Sequence, residues 1–236
     1  MKRYSLLLLS LLIFAISGLA QQAKYVFYFI GDGMGVNQVH GTEMYLGEIQ
    51  GKIGISPLLF TQFPHMTVAT TFSTSSGITD SAASGTALAT GVKTQNGTLG
   101  LTPDLKTPVN SIAVWAKTAG KKVGICTSVG VDNATPAAFY AHQAKRASYY
   151  SIGMDLIKAK FDYYGGSDFV QPTDKDNPQA ENLYSLATKA GFTIARGYNQ
   201  YLQKSKRKKN MILLQPEEAK DINEFPFSVE KMNQSG

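Results

Sequence analysis

Ser81 stands in Thr79-Asp80-Ser81-Ala82-Ala83-Ser84-Gly85-Thr86-Ala87, a stretch of small residues that predicts a close-packed helix over 81–90. At a helix start the unsatisfied N–H groups and the macrodipole favour an anion such as a phosphate. The small side chains would let backbone and a bulky anion come close. A plainer reading also fits the spacing: Asp80 or Ser81 simply caps the helix. No Lys follows in the manner of a P-loop, which counts against a nucleoside triphosphate.

Two further segments carry candidate ligands. Gly31-Asp32-Gly33-Met34-Gly35 ends an apolar run, and Val36 breaks the G-x-G-x-x-G spacing of a dinucleotide turn. A carboxylate flanked by glycines at a strand end suits a hard or borderline metal, or a turn in which Asp32 only bonds backbone. Asp132-Asn133-Ala134-Thr135-Pro136 is followed by His142 and Arg146. Arg146, expected at the end of a short helix, carries a planar fork that matches two phosphate oxygens. By itself it could equally be a surface residue.

The elements that must position these groups alternate. Tyr25-Val26-Phe27-Tyr28-Phe29-Ile30 reads as a strand buried on both faces, and residues 67–72 as a second strand. Residues 111–119 have helical spacing ending at Gly120, and 122–127 read as a strand. Pro136 suits the first turn of a short helix, where no donor is needed. Residues 149–161 and 181–190 read as helices, and 162–164, 192–195 and 210–214 as strands. In open parallel sheets ligands gather at the carboxyl ends of strands. The alternation argues for an α/β domain, a three-layer α/β/α sandwich with a largely parallel central sheet.

Composition narrows the setting. Lys2 and Arg3, the apolar residues 6–16 and the small Ser17-Gly18-Leu19-Ala20 predict a signal peptide over 1–20, leaving 21–236 as the mature part. An exported, periplasmic or extracellular protein with no membrane span after cleavage is therefore expected. Cys126 is the only cysteine, so no intrachain disulfide can form, and its apolar setting predicts a buried thiol. The net charge of +6 comes largely from the signal and from Lys204, Lys206, Arg207, Lys208 and Lys209. One basic run is the mark of a solvated connection, so no specific nucleic-acid partner is expected.

In this order, the three chemical segments resemble the alkaline phosphatase family. The resemblance rests on Phe29-Ile30-Gly31-Asp32-Gly33-Met34-Gly35, on the Ser81 segment, and on Ala134-Thr135-Pro136-Ala137-Ala138 through His142 to Arg146, with Gly165-Gly166 fitting as well. It spans the chain to about residue 166 and is loose beyond. It implies a phosphomonoesterase in which Ser81 attacks phosphorus and becomes a phosphoserine, with zinc and magnesium as cofactors. Asp32 would bridge a zinc and the magnesium, Thr135 would bind magnesium, and Ser81 would meet a zinc. Arg146 would clamp the phosphoryl oxygens with Asp80 holding its guanidinium. Small phosphomonoesters and inorganic phosphate would be its ligands, and the complete protein would be a homodimer.

The chain departs from the family in two ways. Asn133 stands where members commonly carry Asp or His, which changes the charge around the third metal. Only three histidines are present, His40, His65 and His142, and none matches a ligand motif. The chain therefore reads as the N-terminal part of the catalytic domain, truncated at Gly236, and little turnover is expected of it alone. A related metal-dependent phosphodiesterase or sulfatase, and an exported module that only binds phosphate, remain alternatives.

Overall fold

In a computed structural model, residues 23–206 and 210–219 are described. The expected signal peptide, the rest of the basic run from Arg207 to Lys209 and the tail from 220 lie outside them. The chain divides into two compact units, Met1–Met34 and Gly35–Gly236. In the first, Tyr25 to Phe29 have no regular secondary structure and are 53–88% exposed. The strand expected there is not formed, because apolar character alone does not make a strand without a hydrogen-bonded neighbour.

The second unit begins with helix α1, Val36–Ile49, whose buried Glu43 accepts hydrogen bonds from Leu58 N–H (3.0 Å) and the Thr61 hydroxyl (2.6 Å). Residues 67–72 are exposed and form no regular element, so the strand expected there is absent. Helix α2, Ser81–Thr90, has the bounds expected of it and ends on Gly91, whose φ of 76° gives the left-handed cap that glycine adopts without strain. Helix α3, Ile112–Thr118, is capped by the Ser111 side chain on Val114 N–H (3.2 Å).

Strands β1 (Gly124–Cys126), β2 (Tyr163–Gly165), β3 (Thr193–Arg196) and β4 (Met211–Leu214) form one sheet in the order β1-β2-β4-β3, every neighbour parallel. Helices α4 (Ala134–Ala137), α5 (Tyr149–Ala159), α6 (Leu183–Lys189) and α7 (Gly197–Lys204) lie in the connections. Parallel pairing requires such crossovers, so the expected α/β class is what forms. Met-Ile-Leu-Leu of β4 is interior to the sheet and nearly all buried, as a continuous apolar run should be. By contrast β1 is an edge strand, and Cys126 at its end is exposed, not buried as its apolar neighbours suggested. There it lines a cavity of about 330 Å³ with Tyr163, Tyr198 and Leu213 at the carboxyl ends of the strands.

On one face of the sheet Tyr164 of β2 is 1% exposed; its ring stacks on Phe161, meets Tyr140 edge-on at 5.6 Å and lies against Phe192. Such aromatic contacts each add roughly 0.5–1.5 kcal/mol beyond area burial. Asp162, at the entry to β2, binds Lys117 Nζ (2.7 Å) from α3, Lys122 Nζ (2.8 Å) and Val123 N–H (3.0 Å). Burial works against its charge, but the two lysines and the amide win and pull its carboxyl down to about 2.

A carboxyl depressed in the fold stabilises it above the ordinary carboxylate range and stops doing so as pH falls toward the folded value. Thermal unfolding of the wild type should therefore lose ground steeply between about pH 4 and about pH 2. Asp162→Asn should unfold at a lower temperature near neutrality and lose less on acidification. Parallel curves for the two proteins would refute this role.

Candidate active site

The site is built from the start of α2 outward. Asp80 is its N-cap, extended at φ −101° and ψ 174°, and its Oδ1 accepts from Ala83 N–H at 2.9 Å. Ser81 is thus the first helical residue, at the anion-favouring end of a ten-residue helix. One turn on, the face of α2 toward α4 is bare. A Cβ on Gly85 would lie 2.9 Å from Ala138 Cβ and 3.8 Å from the Thr135 carbonyl oxygen. This close approach brings Thr135 and its capping residue Asn133 beside the serine helix. Asn133 Oδ1 caps α4 through Ala134 N–H at 2.7 Å.

Arg146 lies in a turn rather than at a helix end. The chain reaches it through an antiparallel bridge, in which Leu99 and Gln143 exchange both backbone bonds at 2.8 and 2.9 Å. Arg146 N–H then donates to the Gly97 carbonyl at 2.7 Å. From this anchor the guanidinium reaches back, Nη1 to Asp80 Oδ2 at 3.3 Å and Nη2 to Asn133 Oδ1 at a long 3.5 Å. Partial burial opposes ionisation of Asp80, yet bonds from Ala83 and Gly97 N–H, then Arg146, hold its carboxyl below the usual range. Ser81, Asp80, Asn133, Thr135 and Arg146 are therefore gathered in one unit.

The neighbouring residues serve the frame. His142 is held by neighbouring elements: its N–H donates to Asp155 of α5 at 3.0 Å and its ring Nδ1 lies 2.8 Å from the Gly100 carbonyl oxygen. Asp132, fully buried, accepts from Val170 and Gln171 N–H at 2.8 to 3.3 Å. Burial outweighs those bonds and pushes its carboxyl up to about 6. Asp32 belongs to the first unit, exposed in a turn closed by Met34 N–H on the Gly31 carbonyl (3.1 Å) and shaped by Gly33 at φ 71°. The hydrogen-bonding roles of Asn96 and Gly97 were not visible in the sequence beyond the turn signature of an Asn-Gly pair.

In the second unit the candidate metal donors are the hydroxyls of Ser81 and Thr135, while the Asp80 and Asn133 oxygens are occupied by backbone and guanidinium donors. Among the described residues no group of three or more His, Cys, Asp or Glu side chains is arranged to hold a metal ion. Two hydroxyls fall short of the roughly four good donors that zinc takes.

Fold and site together define an α/β protein with a parallel sheet, a serine opening a helix, and a carboxylate–arginine pair beside it. Residues 23–164 match the alkaline phosphatase family model, and the chain belongs to that family. The tissue-nonspecific alkaline phosphatase of Gallus gallus is 40% identical over 141 residues, 56% of this chain and 27% of the relative. The alkaline phosphatase of Gadus morhua is 36% identical over 138 residues, 54% and 29% of the two chains. Among solved structures, the Thermus thermophilus alkaline phosphatase aligns with a TM-score of 0.72 at 26% identity, over 88% of this chain and 42% of that one. A variant of the alkaline phosphatase from the bacterium TAB5, described with Mg bound in its M3 site, gives 0.67 at 27%, over 86% and 54%. The chain thus spans about a quarter of these curated relatives and about half of these solved chains.

The bare face of α2 has a direct consequence. Gly85→Val forces a branched side chain against Ala138 and the Thr135 backbone, and should lower stability by about 1–3 kcal/mol. Denaturant unfolding checks this; an unchanged midpoint would mean that α2 and α4 are less closely packed than described.

Proposed function

We propose that this chain carries the nucleophile and the phosphate clamp of a phosphomonoester hydrolase, with Ser81 as phosphoryl acceptor. The observation that carries the reading is the Asp80–Arg146 pair: the residue that caps the serine helix is the one that holds the guanidinium, at 3.3 Å. In the proposed reaction Ser81 Oγ forms a bond to phosphorus as the bond to the leaving alkoxide oxygen breaks. The hydroxyl proton is lost, the alkoxide takes up a proton, and water later hydrolyses the phosphoserine. Arg146 and the first-turn N–H groups of α2 would bind the equatorial oxygens, so that charge is met by donors already in place.

Zinc and magnesium are the proposed metals; Ser81 and Thr135 would supply part of a donor set, and Asp32, in the other unit, is proposed as a metal ligand on the family resemblance alone. Family membership and the Mg-bearing neighbour support this. Residues 21–236 are proposed as part of the catalytic domain. Export and a dimeric state are proposals too; among the described residues no helix is long and apolar enough to cross a membrane. One relative, from Bombyx mori, is named a membrane-bound alkaline phosphatase.

Inorganic phosphate titrated into the 15N-labelled chain should move the amides of Ser81 and Ala82 and the Arg146 Nε signal. Arg146→Ala should weaken that binding by about tenfold or more, the size of a lost charged hydrogen bond. Shifts confined to other residues would overturn the reading. With zinc and magnesium added, phosphate release from an aryl phosphomonoester should stay near background, because the donors above are too few. Turnover that disappears in Ser81→Ala would contradict that expectation while upholding the nucleophile.

A further inference from the structure

One turn outside the gathered residues bonds both Asp80 and Arg146. Asn96 is exposed, yet both ends of its side-chain amide bond residues far away in sequence. Its Oδ1 accepts from Asp80 N–H at 3.3 Å, and its Nδ2 donates to the Ile78 carbonyl at 3.0 Å. Its own N–H donates to Ser75 Oγ at 2.9 Å. An exposed Asn normally keeps its rotamer freedom in water, so two side-chain bonds to one segment mark an ordering that water does not require. Gly97, next along, donates its N–H to Asp80 Oδ2 at 3.0 Å and accepts Arg146 N–H at 2.7 Å. Asp80 Oδ2 is the same oxygen that meets Arg146 Nη1. Gly97 has φ 82°, and a Cβ there would meet nothing within 4 Å. Glycine is therefore favoured by backbone conformation and not by lack of space.

We propose that Asn96 and Gly97 form a positioning device for the phosphoryl site. Asn96 fixes the backbone from which Asp80 and Ser81 project, and Gly97 sets the separation between the Asp80 carboxylate and the Arg146 backbone. Neither touches reacting atoms; both act through Asp80 and Arg146. The proposal rests on the reading of Ser81 and Arg146 as a phosphoryl site.

The test uses amide hydrogen exchange and phosphate titration on the full chain. Asn96→Ala should speed exchange about tenfold at Ala83 and Arg146, neither of which bonds Asn96, with Ile125 and Ile212 of the sheet unchanged. It should also weaken phosphate binding about threefold or more, which a purely structural loop residue would not do. Gly97→Val should reproduce both effects, and Gly97→Asn, which tolerates the left-handed region, should restore most of the wild-type behaviour. Gln95→Ala, in the same loop but bonded to Pro103, should alter neither readout. Unaltered exchange at Ala83 and Arg146 in Asn96→Ala, or equal loss across the sheet, overturns the proposal. A wild type that binds no phosphate while the exchange pattern holds overturns the phosphoryl reading and supports the clamp between Asp80 and Arg146.

Discussion

The two oxygens of the Asp80 carboxylate serve three partners, and the site depends on how they are shared. Oδ1 caps the serine helix through Ala83, while Oδ2 takes both the Gly97 amide and the Arg146 guanidinium. An N-cap is worth about 1 kcal/mol, and a half-exposed ion pair at this distance adds less than that. Neither is large beside the sheet core. Their value is geometric, because one rigid group with few rotamers ties the direction of Ser81 to that of Arg146. A change in either partner is transmitted to the other through a single side chain.

The packing around that group is of a different kind from the packing that stabilises the molecule. The buried residues of α2 and α4 are mostly small, among them Ala82, Ala83, Gly85, Ala89, Ala134 and Ala137, and at Gly85 the two helices come close enough that a Cβ would meet Ala138. Thr86, fully buried on α2, donates to the Thr98 carbonyl at 3.3 Å and accepts Gly100 N–H at 3.0 Å, pinning the loop that carries Gly97. Large apolar burial lies instead around Tyr164, Phe161, Ile152, Leu156, Leu183 and Ile212. Since hydrophobic stabilisation follows area, most of it comes from the sheet side, while the site side is designed for close approach.

What the sequence revealed follows from which signals are local. The bounds of α2 are set by a capping residue and a glycine, and the β4 run by burial on both faces, so these were legible. Residues 25–30 and 67–72 look like strands by composition, but a strand is a relation between segments, and these lack ladder partners among the described residues. Cys126 was misplaced for the same reason: an apolar run on an edge strand need not be covered. Helices α1 and α7 escaped notice; their exposed faces are not polar in the usual way, with Met44, Tyr45, Tyr198 and Leu202 all exposed. At the site, spacing alone left Ser81 as a cap and Arg146 as a surface residue. The resemblance paired them, and the structure then showed the Asp80–Arg146 contact.

Asn133 illustrates how a neutral residue can keep the arginine usable. Its Oδ1 caps α4 and lies at 3.5 Å from Arg146 Nη2, too long for a strong bond. A carboxylate in its place would compete with Asp80 for the guanidinium and draw the fork toward α4. With Asn133 neutral, Asp80 supplies the charged contact among the described residues, and it does so through Nη1. Two of five guanidinium donors make these contacts, and bidentate grip of a phosphoryl group needs two more. Under the proposed function the same neutrality would also remove a charged oxygen from a cation held near Thr135.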